Sequence, residues 1–107
     1  MKKTIKTAEE TLRDELVLAV RHEKDSMEHT VRTIKRRQAV LSMLPEGTRE
    51  YKDFLADLTE DKYLLIAVIR SYEAKREALG EHCRAHHLSG NTFISAYELL
   101  EILAEKA

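Results

Sequence analysis

The chain has 107 residues, of which 35% are charged and 43% hydrophobic, and its formal net charge is −1. That length suits one domain, 1–107, and the near-balance of charge excludes a global attraction to nucleic acid or membrane. A single cysteine, Cys83, excludes an internal disulfide, and no apolar stretch approaches the ~18–20 residues of a membrane span, so the expected setting is the reducing cytoplasm.

With three glycines, one proline and no tryptophan, the composition favours helix, because Ala, Leu, Glu, Lys and Arg lose little rotamer freedom there. The start, Met1-Lys2-Lys3, resembles a signal peptide, but no apolar segment comes after it and Glu9-Glu10 come early. Residues 1–7 therefore read as a flexible tail. A first helix is expected over about 8–43, with Leu12, Leu16, Val20, Met27, Val31, Ile34 and Leu41 on one stripe at about 3.6 residues per turn. Glu23 and Gln38 interrupt the stripe, and Asp25-Ser26-Met27-Glu28 has the spacing of a helix cap, which allows a break near Ser26.

Leu44-Pro45-Glu46-Gly47-Thr48 is the clearest turn. Pro45 cannot continue a helix, Gly47 tolerates positive φ, and Thr48 can cap the next helix. The second helix is expected over about 48–88, with a seam of Tyr51, Leu55, Leu58, Leu65, Ile69, Tyr72, Leu79 and Cys83 spaced like a coiled coil. Gly90 ends it, and a short third helix over about 92–105 presents Phe93, Ile94, Tyr97, Leu100 and Leu103. Ser95 and Glu98 make a capping-box pair, so this helix can start as late as Ser95. The fold class is all-α: a long antiparallel helical hairpin plus a short C-terminal helix, forming a helical bundle.

Residues 64–69 are six apolar side chains in succession, and six helical positions cover the whole circumference. In a hairpin turning at 45–47, facing positions sum to about 92, so this run lies opposite the polar stretch 23–28. The third helix, folded back directly after Gly90, stops near Glu77 and leaves the run uncovered. A homodimer is the expected cover, since a two-fold contact matches the run with itself. The self-association surface is Leu64, Leu65, Ile66, Val68, Ile69 and Tyr72; the competing arrangement is a monomeric bundle with the third helix crossing over.

Reactive groups are densest at His82, Cys83, His86 and His87, where i, i+4 pairs could share a zinc ion. The simpler reading is a helix end, where imidazoles favour the terminal carbonyls. No Glu-x-x-His pair, metalloprotease motif or Gly-rich phosphate loop occurs, so no enzyme and no required cofactor is expected. Between Thr30 and Lys52 the basic residues Arg32, Lys35, Arg36, Arg37, Arg49 and Lys52 face only Glu46 and Glu50 in acid, a local excess of positive charge that could meet a protein partner or phosphate. The leading functional expectation is a small helical interaction protein, acting as adaptor, regulator or inhibitor of a larger macromolecule. A nucleic-acid accessory using the basic tip, and a metal-binding module at the His/Cys cluster, are the alternatives.

Overall fold

A computed structural model describes residues 5–105 and contains three helices, with no strand among the described residues. The first, α1, spans Ala8–Met43; the second, α2, spans Arg49–His86; the third, α3, spans Ala96–Glu105. The molecule is a rod of 67 × 27 × 21 Å whose length is that of the hairpin.

The flexible tail expected over 1–7 lies partly outside the described residues, and Thr7 is not part of it. Thr7 and Glu10 form a reciprocal capping box that starts α1. At the other end of the turn, the Thr48 hydroxyl accepts from Tyr51 N at 3.2 Å. α1 is unbroken through Ser26, whose carbonyl accepts the Thr30 hydroxyl at 2.8 Å. A serine and an acid at cap spacing do not end a helix when the core side of that turn is filled, and Met27 fills it at 0% exposure.

Val20, Met27, Tyr72 and Leu79 are fully buried and define the core midway along the hairpin. Two ion pairs flank it. Lys75 Nζ meets Glu23 Oε1 at 2.5 Å, and Arg37 meets Asp61 Oδ2 at 2.6 Å. Each pair sums to about 98 rather than 92, because side chains of antiparallel helices lean toward their own N-termini.

α2 ends at His86, two residues earlier than expected, and is capped by His87. This residue, not Gly90, takes the left-handed C-terminal position (φ 53, ψ 44), and its N–H donates to the Cys83 carbonyl. Residues 88–95 then run as a strap back along α2, past Cys83, Gly80 and Tyr72. Arg13 donates to the Ser89 carbonyl at 2.9 Å, and its side chain occupies the space a Cβ on Gly90 would need. Asn91 crosses α2 at Gly80, a buried glycine in the middle of a helix. The Tyr72 hydroxyl donates to the Ile94 carbonyl at 2.6 Å.

The expected placement of the third helix therefore needs correction. It starts at Ala96, not near 92, with the Ser95 hydroxyl accepting from Glu98 N at 3.2 Å. An extended residue advances ~3.3 Å against ~1.5 Å in a helix, so the strap carries α3 farther down the hairpin than a helix begun at 92 could reach. The N–H of Ala96 donates to the Glu73 carboxylate, and the far end of α3 lies beside Lys35, which donates to the Leu103 carbonyl. Leu99 and Leu103 complete the core.

Glu23 supplies a pH test of the hairpin. The hydrogen bond from Lys75 holds its carboxyl below the ordinary value of 4.5; burial opposes this and a hydrogen bond from Ser71 assists it. A depressed folded-state pKa contributes stability that is present above pH 4.5 and lost as pH falls through the folded value. Thermal melts from pH 7 to pH 3 should show wild type more stable than Glu23→Gln at neutral pH, with the gap closing in acid. A pH-independent gap contradicts the role given to Lys75.

Candidate functional site

Three places carry side chains not used up by packing. The first is the hairpin tip. α3 lies against only the middle of the hairpin, and toward the turn a groove of about 390 Å³ with mixed lining stays open between α1 and α2. Leu41, Leu44, Tyr51, Leu55 and Leu58 line it together with the polar Gln38, Ser42, Glu46 and Lys62, and Leu55 is 43% exposed.

The six basic residues expected to form one contact surface at the tip divide into two sets. Arg37 is bonded to Asp61 and reaches the Asp57 carbonyl at 3.4 Å. Lys35 donates to the Leu103 and Ala104 carbonyls, where a cation favours the C-terminal end of α3. Arg32, Arg36, Arg49 and Lys52 are exposed. The returning helix brings Asp61 to Arg37, and the sequence from 30 to 61 holds six basic and six acidic side chains.

The second place is the C-terminal end of α2. The four groups named as metal ligands do not converge. Cys83 is buried, with Sγ 3.9 Å from the Ser89 carbonyl; His87 forms the left-handed cap; His82 and His86 form a tilted ring pair at 4.7 Å. His82 Nε2 is 2.7 Å from the Glu9 carbonyl oxygen. Among the described residues no three His, Cys, Asp or Glu side chains come together as a metal-binding group.

The third place is the run 64–69. The structure divides it between faces. Tyr72, expected at the self-association surface, is fully buried among the helices and has no area to offer a second chain. Leu65 and Ile69 are half-buried, with Ile69 packed on the core. Ile66, 45% exposed, shares the face of Glu73 seven residues on, which is the flank that receives α3. Leu64, 54% exposed, and Val68 turn to the opposite flank. There they border a cleft of about 350 Å³ with His22, Asp25, Ser26, His29 and Thr30 of α1. The polar stretch of α1 thus stands beside the apolar run of α2, as the hairpin register implies, and leaves it half-covered.

The sequence alone assigns no role to Gly80, nor to Glu73 its capping of α3. A glycine inside a strongly helical pattern is the available signal for Gly80, since it marks close approach of another segment. Glu73 gives no signal, because its partner is fixed only by the path of the strap. Comparison with known protein families, curated proteins and solved structures finds no match to this chain. Among the described residues no helix is long and apolar enough to cross a membrane.

Proposed function

We propose that this chain is a small non-enzymatic helical interaction protein, an adaptor, regulator or inhibitor, that presents the tip of its hairpin to a larger macromolecular partner in the cytoplasm. The observation that carries this reading is the open groove beyond the end of α3. Leu41, Tyr51, Leu55 and Leu58 line it on two capped helices, and apolar anchors on a pre-ordered helix pair bind with little entropy left to lose. Arg36, Arg49 and Lys52 are exposed in the same part of the rod and supply a polar rim that sets orientation more than affinity. Nucleic acid is the weaker alternative, because the acidic side chains of α2 balance the basic ones of α1 across the tip.

The test is comparative capture from the source cells with tagged wild type and with Leu55→Asp. A protein enriched by wild type and lost with Leu55→Asp supports the tip. The same protein retained by Leu55→Asp removes it. Nuclease-sensitive material as the only co-purifying species replaces this reading with the nucleic-acid one, and stoichiometric zinc in untagged protein would bring back the His82/His86 end.

A further inference from the structure

Apart from the three surface places described above, a cavity of about 410 Å³ lies between α1 on one side and the strap and α3 on the other. That volume falls within the ~300–1,000 Å³ of small-molecule sites. Its lining is divided. Tyr72, Leu99 and Leu103, all buried, form an apolar floor, and Phe93, Ile94 and Ile102 continue it along the strap and α3. Ile102 is 44% exposed, so apolar surface at the cavity is still wet. The α1 wall is charged: Arg21, Lys24 and Glu28 stand on one face of the helix, three and four residues apart.

Lys24 is the exceptional side chain of this wall. The other half-buried lysines and arginines among the described residues all have partners. Arg13 bonds to Asp14 and the Ser89 carbonyl, Lys35 to the end of α3, Arg37 to Asp61, Lys75 to Glu23 and Arg76 to Glu73. Lys24 has no hydrogen bond or ion pair with any described residue, and neither has Arg21 beside it. Glu28, one turn on, is not paired with Lys24. Partial burial of a cation without an acceptor costs free energy, and an anion bound against it removes that cost.

We propose that this cavity binds a small amphipathic monocarboxylate, with its carboxylate on Lys24 and Arg21 and its apolar tail along Tyr72, Leu99 and Ile102. Three features select that class. Cations stand on one wall and apolar surface on the other, so the occupant has a charged head and an apolar body. Glu28 leaves the α1 wall with a net charge of +1, which matches a monoanion and repels the second charge of a phosphate ester. The planar fork of Arg21 fits a carboxylate, with Lys24 as the neighbouring point charge. The site exists only while α3 is docked, because Phe93, Leu99 and Ile102 come from the strap and α3. A ligand that binds only this form stabilises it by mass action. The tip groove begins beyond the end of α3 and shares no lining residue with the cavity, so the two sites are independent.

Decanoate, titrated below its micelle concentration into isotope-labelled protein, is the probe. Amide shifts should saturate with a Kd below about 1 mM. They should centre on residues 21–28 and 92–103, and hydrogen exchange in 92–103 should slow. Arg21→Gln combined with Lys24→Gln should leave helical circular dichroism unchanged and weaken decanoate at least about tenfold, the effect of removing charged hydrogen-bond partners. Decanol has the same tail without the charge and should bind wild type at least about tenfold more weakly than decanoate; this comparison stands even where the double variant fails to fold. Shifts that rise without saturating, or that centre on the tip residues 41–58, overturn the proposal. So does unchanged affinity in the folded double variant, or decanol binding as tightly as decanoate.

Discussion

Replacing Tyr72 with alanine is expected to lower the stability of the protein by ~3–5 kcal/mol, the range for truncating a fully buried aromatic. Tyr72 is 0% exposed at the point where α1, α2 and the strap meet. Burial raises its pKa, so the hydroxyl remains a donor to Ile94 over the whole working range of pH. A domain of this size has ~5–15 kcal/mol in total, so Tyr72→Ala should show a large drop in the urea midpoint. Tyr72→Phe separates the ring from the hydroxyl. It keeps the packing and orphans the Ile94 carbonyl, which costs ~1–3 kcal/mol. Hydrogen exchange should then quicken first in 93–105 while the centre of the hairpin stays protected. Uniform acceleration across all three helices contradicts a local role for this bond.

Met27→Ala is expected to destabilise by ~2–5 kcal/mol, measured by the same urea titration. Met27 is the single apolar residue in the stretch 23–28, and it is fully buried. Its neighbours Glu23, Lys24 and Glu28 are half-buried and Asp25 is exposed, so the packing of α1 in this region depends on one flexible side chain. Truncation leaves a cavity that those polar neighbours cannot fill without burying charge. A change below ~1 kcal/mol would mean that α1 shifts along α2 to close the gap, and the Glu23–Lys75 pair would then also be lost.

The hairpin is readable in the sequence because its signals are redundant. Stripes near the helical period, a Pro-Glu-Gly turn and threonine caps all point to the same two helices, and the structure places their ends within two residues of the expected positions. The third helix is expected too near the end of α2 because residues 92–95 have no periodicity of their own. Phe93 and Ile94 fit an apolar helix face as well as an extended strap, and only the bonds to Tyr72 and Glu73 decide between them. The expected positive tip is also seen through a linear window. A window that ends at Lys52 leaves out Asp61 of the returning helix, which pairs with Arg37. The apolar run 64–69 does stand against a polar stretch of α1, but a linear pattern cannot show which of its six side chains a third element covers. Leu64 and Ile66, two residues apart, end on opposite flanks.

The strap fixes where α3 sits by its contour length. It leaves α2 at His87, is pinned by Arg13 at Ser89, crosses at Gly80 and delivers Ala96 to Glu73. Its eight residues can span at most ~26 Å, against the ~21 Å of helix between residues 87 and 73, which leaves ~5 Å of slack. The strap is thus a ruler. Shortening it by four residues removes ~13 Å, ~8 Å beyond that slack, so it draws the short helix back by more than one turn, takes Leu103 away from Lys35, and bares the mid-hairpin core without altering any residue of that core. The distance from α3 to the tip, and with it the length of groove left open, is set by how many residues lie between His87 and Ala96.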